Sequence, residues 1–130
     1  MSENNIKICD MSTPSLAYLG DCVLELLVRE RLTRSGISSS KNLNKEALKF
    51  VSAPAQAAAM KNIIDHLTEE ESGYFRRGRN IGHTSTPKHA TVAEYRTATG
   101  MEALFGFLHL SGRTDRAKEL FALAFPSENN

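Results

Sequence analysis

Two acidic residues stand where helical core residues are expected. Asp21 follows Gly20 inside the apolar run LAYLGDCVLELLV (16–28), and Glu102 interrupts GMEALFGFLHL (100–110) between Gly100 and Gly106. A mid-helix glycine costs about 1 kcal/mol relative to alanine, and an acid in an apolar helix has to be paired, coordinated to a cation or solvated. Small residues beside a carboxylate let another helix, or a phosphate, come close. Conflicts of this kind between local pattern and core logic are where chemistry is expected. Ordinary surface acids, or acids paired with Arg29 or Arg96, are the competing reading, and spacing alone leaves both open.

A second feature is positive. Between Arg76 and Arg96 stand Arg76, Arg77, Arg79, Lys88 and Arg96 with His83 and His89, against Glu94 as the single acid. The whole chain has 16 Lys and Arg against 15 Asp and Glu, a net charge of +1. The basic segment is therefore a local field inside a neutral protein, the form a nucleic-acid contact takes when acids elsewhere must be kept. Lys41, Lys45 and Lys49, four residues apart, form a further stripe that suits either a solvated face or RNA. Cys9 and Cys22 lie neither at metal-ligand spacing nor in a disulfide pattern and read as free thiols.

The elements that must position these residues are helices. Ser12-Thr13-Pro14 opens the first, which runs to about Arg34 with Gly36 as a stop. Leu16, Leu19, Val23, Leu26 and Leu27 form its expected core face, and Leu24 and Val28 a second stripe. Helices follow over about Asn42–Val51 and Pro54–His66. Thr68 with Glu71, and Thr91 with Glu94, are capping boxes for the next two, the second ending near Ser111. Thr114-Asp115 is expected to cap a last helix closed by Pro126. The stretch 81–90 reads as a loop. Tyr74, Phe75, Tyr95 and Phe105 are expected in the core.

No strand pattern appears, so the fold class is all-α. The 130 residues, 41% hydrophobic, suit one domain spanning the chain, with 1–12 and 126–130 as flexible ends. The start MSENNIKICD lacks a secretory pattern and no run approaches about 20 apolar residues, so a soluble, cytoplasmic protein is expected.

The helix LAYLGDCVLELLVRERL (16–32) resembles the signature helix of the ribonuclease III family. The match continues through YFRRGRN (74–80), TPKHATVAEYR (86–96) and ATGMEALFGFLHLSG (98–112). In this set and order the chain resembles the Mini-ribonuclease III subfamily, which has the catalytic domain without a double-stranded-RNA-binding domain. The resemblance covers about residues 14–123. It implies a ribonuclease III-type helical homodimer that hydrolyses double-stranded RNA to 5′-phosphate and 3′-hydroxyl ends.

By position, Asp21 falls on the family's aspartate and Glu102 on its glutamate, which implies that both are catalytic and both hold Mg²⁺. Ribosomal RNA maturation, on the 23S precursor, is the implied task. Arg76, Arg77, Arg79, Lys88 and His89 are the RNA-binding candidates, since phosphate contacts supply most of the affinity for a duplex. Ala17 and Thr99 stand where full-length relatives carry further acids, and a third such position falls on Ala53, with Pro54 beside it where a basic residue is usual. One carboxylate per helix suits one tightly held Mg²⁺ better than two. Glu25 could orient a coordinated water or be a surface acid.

A dimer is expected through the first helix, with Leu24 and Val28 as the buried stripe. Two rivals remain. A non-catalytic RNA-binding or ribosome-assembly adaptor would have no reason to keep Asp21 and Glu102. An all-helical nucleoside-triphosphate pyrophosphohydrolase would need clustered acid pairs, and Glu69–Glu71 is explained as a helix start.

Overall fold

The structure is a computed structural model that describes residues 6–81 and 89–127. Among the described residues the chain forms six α-helices and no strand: α1 Thr13–Arg34, α2 Ser40–Val51, α3 Ala53–Ile63, α4 Glu69–Arg79, α5 Val92–Leu110 and α6 Thr114–Ala124. A 3₁₀ turn, Ile8–Asp10, precedes α1, and another, Ile64–His66, continues α3.

Local chemistry explains most boundaries. The Ser12 hydroxyl accepts the Ser15 N–H at 3.2 Å, and Gly36, at φ +89°, takes the left-handed conformation that ends α1. Both capping boxes form: Thr68 Oγ1 accepts Glu71 N–H while Glu71 accepts Thr68 N–H, and Thr91 and Glu94 do the same. The last helix differs from expectation, since Arg113 occupies its N-cap without a side-chain bond and Thr114 is already helical.

Helix α5 is the centre of the molecule. From Ala98 to Leu108 every residue except Glu102 is buried, and α1, α4 and α3 pack around it. A helix buried on nearly all sides is a core element rather than an amphipathic surface one. Two glycine contacts draw its neighbours in. A Cβ on Gly20 would overlap the Glu102 carbonyl oxygen and lie 2.9 Å from Gly106 N; a Cβ on Gly78 would lie 2.7 Å from Gly100 Cα and from Thr99 O. Backbone therefore packs on backbone at both crossings, which only glycine permits.

This crossing overturns one sequence expectation. The contact face of α1 is the row Leu16, Gly20, Leu24, Val28 and Leu32, all buried. These residues are spaced by four, the ridge that packs into a facing helix. Leu24 and Val28, 2% exposed each, belong to the chain's own core and cannot form a dimer stripe. Leu26, assigned to the core, is 66% exposed, and Tyr18 beside it on the outer side is 85% exposed. Apolar count could not rank two overlapping stripes, whereas Gly20 sets the line of closest approach. Tyr95, also expected inside, is exposed, while Tyr74, Phe75 and Phe105 are buried.

Two polar clamps complete the packing. Glu71 is 2% exposed and takes two bonds from Arg116 of α6, each 2.9 Å, and Arg116 Nη2 also donates to the His66 carbonyl at 2.7 Å. Burial alone would raise the Glu71 carboxyl, but the Arg116 guanidinium and the Thr68 N–H outweigh it and hold it below its ordinary value. The second clamp is Arg31, whose guanidinium lies 4.8 Å from the Phe121 ring centroid and donates to the Phe125 carbonyl.

Candidate active site

Asp21 owes its place to its neighbour. Because Gly20 rests on the Glu102 carbonyl, the next residue of α1 emerges beside the Glu102 side chain, and the two carboxyl groups come within hydrogen-bonding range. Asp21 is exposed and borders a shallow furrow with Tyr18, Glu25 and Arg29. Glu102 is half-buried. Burial, then the adjacent Asp21 charge, then the hydrogen bond with Asp21 push its carboxyl up to about 8.

Neither salt-bridge alternative holds. Arg29 binds Glu25 at 3.0 Å, and among the described residues neither Asp21 nor Glu102 has an ion-pair partner. Two coupled carboxylates without a protein cation present hard oxygens and an excess of negative charge, the donor chemistry that suits Mg²⁺. Among the described residues no third acid, histidine or cysteine completes a cluster with them. Ala17 is buried, Ala53 starts α3, and the Thr99 hydroxyl donates to the Tyr95 carbonyl at 3.0 Å. Glu25 is engaged by Arg29, one turn further along α1.

The basic candidates separate. Arg76 and His89 are exposed. Arg79 is exposed as well, its guanidinium 5.7 Å from the Phe75 ring centroid, and it borders a cleft between α3, α4 and α5. Lys88 lies outside the described residues. Arg77 is turned inward: Nη2 donates to Met11 O at 2.6 Å and Nε to Thr13 Oγ1 at 3.1 Å, so it ties the entrance of α1 to α4. Sequence reasoning missed Lys61 of α3, an exposed cation that lines the same cleft as Arg79. Nothing in its spacing marks it, because the pairing is made by α3 and α4 each packing on α5.

Residues 14–113 of this all-helical chain match the family model described as the ribonuclease III domain. The protein is thus an endoribonuclease of the ribonuclease III class. Over 110 residues it is 44% identical to Mini-ribonuclease 3 of Symbiobacterium thermophilum, covering 85% of each chain. Mini-ribonuclease 3 of a Thermoanaerobacter species is 41% identical over 117 residues, 90% of this chain and 82% of that one. A crystal structure of a protein from Fusobacterium nucleatum superposes with a TM-score of 0.81 at 33% identity, covering 90% of this chain and 93% of the other. The chain belongs to the Mini-ribonuclease 3 family.

Proposed function

We propose that the protein hydrolyses double-stranded RNA in a Mg²⁺-dependent reaction, with Asp21 and Glu102 as its catalytic carboxylates. The observation that carries this is the seating of Gly20 on the Glu102 backbone, which brings the two carboxyl groups together. Bound there, Mg²⁺ supplies a Lewis acid for the phosphoryl oxygen and a more acidic water. The chain's own part is to present oxygens from two rigid helices, so that little reorganisation is needed on binding. Ionisation of Glu102 is a condition of that role, since a protonated carboxyl is a poor ligand. Attack by water at phosphorus forms the new P–O bond and breaks the bond to the 3′-oxygen, leaving 5′-phosphate and 3′-hydroxyl ends.

Arg76, Arg79, Lys88 and His89 are proposed to meet the duplex backbone, and Arg77 to hold the helix that carries Asp21 in place. The active species is proposed to be a homodimer in the cytoplasm, joined through the exposed side of α1 around Tyr18 and Leu26, and acting on the 23S ribosomal RNA precursor. The exposed apolar pair on α1 and the family resemblance support this reading. Among the described residues no helix is long and apolar enough to cross a membrane. A long duplex RNA incubated with purified protein in Mg²⁺ and then in EDTA tests the activity, and end mapping tests the products. Cleavage that survives EDTA, or 3′-phosphate ends, would refute it. Sedimentation equilibrium tests the dimer: a mass of 14.3 kDa in a fully active sample would exclude it.

A further inference from the structure

Three helical stripes meet at the cleft between α3, α4 and α5, which encloses about 400 Å³. Helix α3 gives Pro54, Ala57 and Lys61, spaced by three and four. Helix α4 gives Phe75 and Arg79, and α5 gives Ala93 and Thr97, each pair spaced by four. Such spacings keep residues on one face of a helix. Lys61 and Arg79 therefore reach the same opening from two different walls.

Two cations face one acid there. Lys61 and Arg79 are exposed, and among the described residues neither has an acidic partner. The acid, Glu94, is engaged locally: its Oε1 accepts the Thr91 N–H at 2.9 Å within the capping box. Arg79 is held against the Phe75 ring, 5.7 Å from its centroid, so its side chain has less freedom to lose when it meets an anion. The remaining lining is largely apolar, and low-dielectric walls focus the field of the two cations into the opening. A purely structural use exists for each cation, since both stand in the last turn of their helix, where positive charge offsets the helix dipole. That use explains them singly and leaves their convergence on one cleft unexplained.

We propose that Lys61 joins Arg79 in gripping a single phosphate of the RNA duplex, Arg79 through its planar fork and Lys61 as a point charge. The inference rests on the duplex-RNA reading above and deepens it by a residue from a third helix. Thr97, on the cleft wall, precedes Glu102 by five residues, which is about 7.5 Å along α5 and on a different face. The phosphate held in the cleft is therefore not the one that is cut. Such a contact sets the register of the duplex without reading its sequence.

The test is binding of a labelled duplex RNA in EDTA across a salt series, using wild type, K61Q, R79Q, the double variant K61Q/R79Q and the conservative variant K61R. Each single Gln variant is expected to lose about fivefold in affinity, and the double variant about tenfold, well short of the product of the two losses. Because one phosphate is at stake, the salt slope of the double variant should become shallower by about 1 and not by about 2. K61R should keep most of the wild-type affinity, and the melting temperature of K61Q should match that of wild type. Unchanged affinity in K61Q overturns the inference. So do fully multiplicative losses with a slope change of about 2, which would mark two separate phosphates. A loss in K61Q that comes with a lower melting temperature and is not recovered in K61R also overturns it, because Lys61 would then serve its helix end. Wild type that neither binds nor cuts the duplex refutes the RNA reading itself, and the two failures are thereby told apart.

Discussion

Gly20 of α1 sits directly on the backbone carbonyl of Glu102 in α5, at a separation that excludes any side chain. The substitution Gly20→Ala is therefore expected to force the helices apart, lowering stability by about 1–3 kcal/mol and reducing cleavage by more than that loss explains, because the carboxyl pair separates. Gly73→Ala is the contrast, since a Cβ there meets nothing within 4 Å and the residue is inside α4. It should stabilise by about 0.5–1 kcal/mol. Thermal melts and cleavage rates of the two variants check both signs.

Asp21→Asn and Glu102→Gln should each lower cleavage on the order of a thousandfold or more, the loss expected when a Lewis-acid site worth several kcal/mol is dismantled. Duplex binding should persist, and can strengthen as a negative charge leaves an anion-binding surface. Near-normal turnover by either variant at saturating Mg²⁺ would remove these residues from the mechanism.

The Glu102 carboxyl titrates at about 8 in the fold against an ordinary value of 4.5. A raised carboxyl favours folding while it is protonated, so this contribution is complete below 4.5 and is lost as pH rises through about 8. In EDTA the melting temperature should fall from pH 6 to pH 8.5, and Glu102→Gln should flatten that decline. Mg²⁺ should restore stability to the wild type at the higher pH and leave the variant nearly unchanged. A wild-type melting curve indifferent to pH over this window would contradict the burial and coupling described here.

Arg116→Ala leaves Glu71 buried without its guanidinium, and loss of one partner from such a pair costs about 3–5 kcal/mol. Because Arg116 is itself only partly buried, with a quarter of its side chain exposed, the lower end is expected. The Glu71 carboxyl is held below its ordinary value, so its stabilisation is present at neutral pH and lost as pH falls through the folded value. Denaturant melts of wild type and variant should thus converge in acid.

Arg77 and Arg79 stand two residues apart and should behave differently. Arg79→Gln is expected to weaken binding to all duplexes alike and to reduce the salt slope by about 1. Arg77→Gln should lower the melting temperature, by freeing the Met11 carbonyl and loosening the start of α1, with little change in salt slope. Equal slope changes in both would place Arg77 on the RNA.

Much of this was legible in the chain itself. The capping boxes at Thr68 and Thr91, the Ser12 cap and the glycine stop at Gly36 are hydrogen-bonding and backbone devices that close within a few residues, so sequence alone determines them. Asp21 and Glu102 stood out locally as acids inside apolar helices, but that pattern left an ordinary surface or salt-bridged role open, and the resemblance to the ribonuclease III family is what marked them as catalytic candidates. What only the tertiary structure decided are relations between distant segments. The burial of Leu24 and Val28 and the exposure of Leu26 follow from the line on which α1 touches α5. Glu71 reads locally as a helix start, yet it is also the buried partner of Arg116, 45 residues away. Arg77 looks like surface charge until α1 is laid against α4. Periodicity defines a helix face, but which of two faces is buried depends on a partner that periodicity does not contain.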